Sequence, residues 1–222
     1  MDWYPLINSI RIAAMSSILV FFLGIFAAYY AVRLPRIFKG ILDVILTLPL
    51  VLPPTVCGYL LIMLFGVRRP LGMLLAEFGV QFVMTWYGGI LAASLVAFPL
   101  MYRTARGAFE SFNKTLAYSG QTLGLSNTYI FWRIRMPVCR QGIFAGLVLA
   151  FARALGEYGA TTMLIGYIPG KTATISTTVY HLWRTNNNEE ALKWVLINIA
   201  ISALVLLIVN MLEKRDKGAM AN

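Results

Sequence analysis

The sequence is poor in reactive chemistry. It has one histidine, His181, two cysteines, Cys57 and Cys139, and only 9 Asp and Glu in 222 residues. These leave no Ser/His/Asp or Cys/His set for nucleophilic catalysis and no metal-type spacing. Cys57 sits in an apolar run and Cys139 beside a basic loop, so both read as packing residues rather than a disulfide framework. Charged residues make up 13%, about half the usual quarter. What the chain does have is apolar surface: 59% hydrophobic residues and a mean hydropathy of +0.72. A soluble domain of this size could not hide so many apolar side chains. An ordinary soluble enzyme, a disordered chain and a secreted disulfide scaffold are therefore excluded. A multispan, all-α membrane protein of one domain remains.

A transmembrane helix needs ~20 mostly apolar residues. Five stretches qualify: about 12–32, 41–64, 86–104, 142–168 and 194–212. The first is longer than the ~7–15-residue apolar region of a leader and lacks a basic start, so it is read as a span rather than a cleavable signal. The second has Asp43 at its start and Pro49, Pro53 and Pro54 inside. The fourth carries Arg153 and Glu157. The net charge of +10 would suggest nucleic acid in a soluble protein. Here it has a topological cause, and no nucleic-acid partner is expected. Arg33, Arg36, Lys39, Arg103, Arg106, Lys114, Arg133, Arg135, Arg140, Lys214, Arg215 and Lys217 fall on one side of a five-span chain. Arg68, Arg69, Lys171, Arg184 and Lys193 fall on the other. The positive-inside rule then places the N-terminus outside and the C-terminus in the cytoplasm. Making Leu71–Thr85 a span would move the six-cation loop to the opposite face, so that stretch is expected to be an outer-surface or re-entrant helix.

The loop at about 105–140 is too long for a tight connection and too polar to span. A helix is expected near Lys114–Leu123, stopped by Gly124 and followed by a cap at Ser126-Asn127. A second is expected near Thr128–Arg135, ending before Pro137. Such a helix–turn–helix is either a docking knob for a soluble partner or an amphipathic anchor held by Tyr129, Phe131, Trp132 and the arginines.

Gly124, nine residues, then Ile134-Arg135-Met136-Pro137 resembles the second half of the EAA-loop signature of ABC-importer permeases: E-A-A, three residues, G, nine residues, I-x-L-P. The Glu-Ala-Ala positions hold Tyr118-Ser119-Gly120, and Ala117 precedes them, so no carboxylate is present. Leu48-Pro49-Leu50-Val51-Leu52-Pro53-Pro54-Thr55-Val56-Cys57-Gly58-Tyr59-Leu60-Leu61 and Ala150-Phe151-Ala152-Arg153-Ala154-Leu155-Gly156-Glu157-Tyr158-Gly159-Ala160 are similar to the second and fourth spans of molybdate permeases. Ile168-Pro169-Gly170-Lys171-Thr172 matches the outer loop that follows. The resemblance runs in order from about Ile7 to Leu212.

This resemblance implies the fold of a type I ABC-importer permease. It implies a docking knob of Ala117, Tyr118, Ser119, Gly120, Gln121, Thr122, Leu123, Gly124 and Leu125, braced from behind by Ile134, Met136 and Pro137. It further implies two ATPase subunits, which hold the ATP and magnesium, and an extracytoplasmic oxyanion-binding protein. The expected function is ATP-driven molybdate import across a bacterial or archaeal cytoplasmic membrane, with tungstate, sulfate and phosphate as alternatives. Five spans are too few to enclose a path, so a homodimer is expected.

The residues themselves point to a path or gate. Three prolines remove backbone donors from the second span, a break tolerated where neighbouring groups satisfy the freed carbonyls. Thr47, Pro49, Pro53, Pro54, Thr55 and Gly58 thus form either a path wall or a packing kink. Arg153 and Glu157, four apart, share one helix face. Each alone would cost ~2.5–3.5 kcal/mol at mid-span, and pairing also makes the face tolerable to an anion. Small residues at 142, 145, 146, 150, 154, 156, 159 and 160 permit close helix approach and suit a helix at the centre of a dimer. Gly166–Thr172 approaches a phosphate-binding loop but has three intervening residues where four are required, so no cofactor is expected on this chain. A channel or an ion-coupled carrier is the alternative from another class. A carrier usually holds ion-coordinating acids in its spans, and only Glu157 lies deep in one.

Overall fold

The computed structural model describes residues 2–219, with side chains described to Leu207. Lys214, Arg215, Lys217 and the end of the span expected at 212 lie outside the described side chains. Among the described residues all regular structure is helical. The order is α1 (Tyr4–Ala31), α2 (Arg36–Val51), α3 (Pro54–Phe65), α4 (Pro70–Glu77), α5 (Trp86–Glu110), α6 (Lys114–Thr122) and α7 (Asn127–Ile130). A π-helical turn (Phe131–Arg135) follows, then α8 (Met136–Leu155), α9 (Gly159–Ile165), α10 (Ile175–Arg184) and α11 (Asn188–Ala219).

Among the described residues four segments are long and apolar enough to cross a membrane: Tyr4–Ala31, Trp86–Glu110, Asn127–Leu155 and Asn188–Leu207. The pair α2–α3 is long and apolar enough only when taken together, as a broken span or a re-entrant loop bent by 111° at Leu52-Pro53. The closed interior combines small residues, Ala13, Ala28, Ala92, Ala93, Ala97, Ala105 and Ala150, with the large side chains of Met101, Tyr102, Leu164 and Ile165, while Phe22, Phe26, Phe38, Val51 and Leu207 face outward. Where the surroundings are as apolar as the side chains, small residues let backbones approach. Close approach is also seen between α5 and α8: a Cβ at Gly142 would lie 2.7 Å from the Ala108 Cβ, and one at Gly146 3.0 Å from Met101 Sδ and 3.1 Å from the Thr104 Cβ. Within the protomer, Gly142 and Gly146 of the small-residue stripe meet α5 and Gly159 and Ala160 meet α3, while Gly156 is exposed.

Contacts along α1 define two ends. Near its start, Asn8 Nδ2 donates to the carbonyls of Thr172 and Ala173, and the Trp3 ring meets Trp194 edge-on. Near its finish, Tyr29 packs on Phe109 and Phe131. The N-terminus therefore lies at one end and the α6–α7 loop at the other. At the far end α4 has 8 residues, ~12 Å of helix, too short to cross. The stretch expected as an outer loop contains α10, nucleated by a capping box in which Thr174 and Thr177 exchange side-chain and backbone hydrogen bonds.

Two boundaries differ from expectation. The second loop helix does not end before Pro137 but continues into α8. In the π-turn the Met136 N–H reaches back five residues to the Phe131 carbonyl, and Pro137, which has no N–H to offer, falls in the first turn of α8, where none is needed. The span expected at 142–168 instead runs over 127–155, breaks at Gly156–Tyr158 and resumes as α9.

Candidate functional site

The loop end presents a small helical knob whose shape is fixed by side-chain caps and a backbone closure. Asn113 caps α6 by accepting from the Thr115 N–H at 2.9 Å. At the other end of α6 the Leu125 N–H returns to the Gly120 carbonyl at 3.0 Å and the Gly124 N–H to Gln121 at 2.9 Å. Gly124 has φ +78°. This is a Schellman closure, in which the left-handed residue is normally glycine. Ser126 then caps α7 by accepting from the Tyr129 N–H, and Gln121 Nε2 donates to Asn127 Oδ1 at 3.0 Å across the turn. α6 and α7 are thereby locked into one unit.

The expected docking residues divide into two sets. Tyr118, Ser119, Gln121, Thr122, Leu123 and Gly124 are exposed, Leu123 to 77%. Ala117 and Gly120 are buried, and Leu125 packs against the core. A Cβ at Gly120 would lie 3.2 Å from Ile130 and 3.3 Å from Ile134, so Ile134 does brace the knob. Met136 also packs inward. Pro137 is exposed, and its contribution lies in the backbone of the π-turn rather than in packing behind the knob. Arg135 completes the brace, its guanidinium 4.9 Å from the Phe112 ring and 5.3 Å from Tyr29.

The second group lies where α3 crosses α9. The missing N–H of Pro53 frees the Pro49 carbonyl, towards which Cys57 Sγ points at 4.0 Å. Gly58 is buried, and a Cβ there would sit 2.9 Å from both Cα and O of Ala160. Pro54 and Thr55 meet Gly159 in the same crossing. Arg153 and Glu157 pair at 2.6 Å although Glu157 is past the end of α8. Glu157, 1% exposed, also accepts the Ala160 N–H at 2.8 Å through its other oxygen. One carboxylate thus closes α8 and caps α9, and Pro54, Thr55, Gly58, Arg153 and Glu157 form one neighbourhood. Thr47 stands apart, its hydroxyl donating to the Asp43 carbonyl one turn back.

The sequence reading missed a charged cluster between α2 and α5. Asp43 accepts from Tyr102 Oη and pairs with Arg106, while Lys39 pairs with Glu110. Each half carries a local signal, since Lys39/Asp43 and Arg106/Glu110 are both i,i+4 pairs of opposite sign, but that spacing does not join the two halves. It also treated His181 as a loop residue; His181 lies on α10 with its ring stacked on Tyr167 at 4.3 Å.

Comparison with known proteins agrees with this architecture. Residues 20–215 match the family described as binding-protein-dependent transport system inner membrane component. The chain is 40% identical over 209 residues to the molybdenum transport system permease protein ModB of Escherichia coli K12, covering 93% of this chain and 91% of that one. It is 36% identical over 203 residues to the putative molybdenum transport system permease protein YvgM of Bacillus subtilis 168, covering 91% and 89%. A bacterial ABC transporter that imports alginate shares the fold, with a TM-score of 0.77 at 19% identity over 96% of this chain and 78% of that one. With several apolar spans and a family match over most of its length, the chain belongs to the multi-pass inner-membrane permease components of binding-protein-dependent ABC transport systems.

Proposed function

We propose that two copies of this chain form the translocation path of an ATP-driven molybdate importer. The single observation that carries the coupling half of this reading is the knob. It is an exposed helix–turn–helix whose shape is set by Asn113, Gly124 and Ser126 and which is braced on α8 through Ile130 and Ile134. Such a rigid projection suits transmission of force from a soluble subunit. The 40% identity to a molybdenum permease carries the substrate half.

In this reading the loop end and the C-terminus are cytoplasmic, and the far end meets an oxyanion-binding protein. Two ATPase subunits hold ATP and magnesium and dock on Tyr118, Ser119, Gln121, Thr122, Leu123 and Gly124. With no carboxylate at 117–120, docking rests on shape, the exposed Leu123 and free backbone groups. The α3–α9 crossing, with Pro54, Thr55, Gly58 and the Arg153–Glu157 pair, acts as the gate. A lone buried carboxylate would repel a dianion; the arginine cancels that field while the carboxylate holds the helix break. Moving a path from 1:99 to 99:1 between two orientations takes ~5.5 kcal/mol, within the reach of ATP binding and hydrolysis.

The test has two steps. A tagged chain is purified from native membranes with an ATP analogue, and equimolar recovery of an ATPase is expected. The complex is then reconstituted with its binding protein, and ATP-dependent uptake of molybdate is measured against sulfate and tungstate. Uptake with molybdate preferred supports the reading. A preparation free of ATPase across several detergents refutes the coupling half and favours a channel or carrier. Sulfate uptake with molybdate excluded refutes the substrate.

A further inference from the structure

α2 is an unusual helix. It has 16 residues and not one is buried. Ile37, Phe38, Ile41, Val44, Ile45 and Val51 all point away from the protomer. Leu42 and Leu46 pack half-buried against the core, and the rest of its attachment falls to polar groups. Lys39 pairs with Glu110, and Asp43 pairs with Arg106 and accepts from Tyr102. The partners step down α2 by four residues as they step up α5 by four, which is the register of two antiparallel helices. The signs alternate along the ladder, and Arg106 Nε lies 3.7 Å from Glu110 Oε1, closing it. Arg106 and Asp43 are each about a quarter exposed. This clamp occupies the first half of α2. At its far end, Leu52 and Pro53 are extended and lead through the 111° bend into α3, which meets Glu157's helix cap at Gly58.

The α5 side of the clamp is equally placed. Glu110 is the last residue of α5, and Asn113, three residues on, caps the knob helix α6. The clamp thus ties the root of the docking knob to α2, whose unclamped half, ~12 Å from Asp43 at 1.5 Å per residue, ends at the joint with the α3–α9 crossing.

We propose that Lys39, Asp43, Arg106 and Glu110 are positioning residues for coupling: they make α2 follow the knob, so that docking motions reach the crossing through α2 as a lever. Tyr102 orients the Asp43 carboxylate. The proposal rests on the importer reading, because it needs an ATPase to move the knob.

The experiment uses the assembled permease–ATPase complex with its binding protein in vesicles. Four variants are compared with wild type: Asp43→Asn, Lys39→Glu, Glu110→Lys, and the last two combined. Recovered ATPase, ATP hydrolysis with and without loaded binding protein, and uptake are each measured. Asp43→Asn and the two single reversals are expected to keep the ATPase bound and basal hydrolysis within about twofold. Uptake per ATP hydrolysed falls at least tenfold, and the combined reversal, which restores the 39–110 pair but sets like charges beside Asp43 and Arg106, recovers it to at least threefold above either single reversal. Uptake and hydrolysis falling together, in proportion to folded complex recovered, would show that the cluster only stabilises the fold. An unchanged ratio of uptake to hydrolysis in all variants would equally overturn the proposal. If wild type binds no ATPase, it is the importer reading that fails, and the two failures are separate.

Discussion

Replacing Gly124 isolates one physical variable. Nothing lies within 4 Å of where a Cβ would be, so a side chain there meets no obstacle. What it does meet is φ +78°. A left-handed backbone costs an L-residue with a Cβ about 1–2 kcal/mol, a factor of roughly 5–30 in population. The Schellman bonds from Gly124 and Leu125 would be lost in the competing geometry, and Leu123 would leave its place at the tip. If only the closed knob docks, apparent affinity for the ATPase falls by the fraction still closed. Gly124→Ala should thus weaken association by up to that 5–30-fold. Gly124→Asn, which tolerates this region better, should be milder, and Gly124→Val, β-branched, more severe. Titration of the ATPase onto the permease in nanodiscs reads the order directly. Alanine and valine variants binding as tightly as glycine would show that the closed turn is not what the partner recognises.

Three further outcomes follow from the same geometry. Removing the Ser126 hydroxyl by Ser126→Ala deletes the α7 cap and should cost ~0.5–2 kcal/mol, seen as faster amide exchange at residues 127–130 with the rest of the bundle unchanged. Arg153→Ala leaves the buried Glu157 carboxylate without its cation, a loss of ~3–5 kcal/mol for a buried pair. The chain should still insert, with lower thermal stability and impaired uptake, whereas Glu157→Gln keeps an oxygen for the Ala160 N–H and should be better folded; normal uptake by Arg153→Ala would contradict the gate assignment. Gly58→Val forces α3 off the Ala160 backbone, and overpacking of this kind costs ~1–3 kcal/mol. Unfolding monitored in detergent should show it, and an unshifted midpoint would mean that the crossing is loose.

What could be read from the sequence was local. The knob helix expected near Lys114–Leu123 is found over Lys114–Thr122, because glycine stops and Asn/Ser caps act within a few residues of themselves. The proline break of the second span is legible for the same reason. The π-turn is not, since Pro137 signals a stop whereas five residues before it decide whether the ladder can detour. The break at Gly156–Tyr158 was hidden by an apolar run on both sides, and only Glu157's double duty as ion-pair partner and cap reveals it. The α2–α5 clamp joins residues 59 to 71 apart in sequence, beyond the reach of any periodicity. The direction in which small residues face was equally out of reach, since Gly142 and Gly146 announce close approach without saying to what.

The π-turn has a consequence for how the knob is aimed. A turn that closes over five residues instead of four holds one more residue than an α-helix would. Each α-helical residue advances the azimuth by 100°. The extra residue therefore offsets the phase of α7 relative to α8 by about that angle. Ile130 just upstream of it and Ile134 within it face Gly120; downstream, Gly142 and Gly146 face α5. Deleting one residue such as the exposed Trp132 would let the ladder close as a plain α-helix and swing the knob roughly a quarter-turn around the axis of α8, with every contact on either side intact but aimed elsewhere. The bearing of the knob is thus set by a residue count within a continuous helix, a digital setting that no loosening of a linker could reproduce.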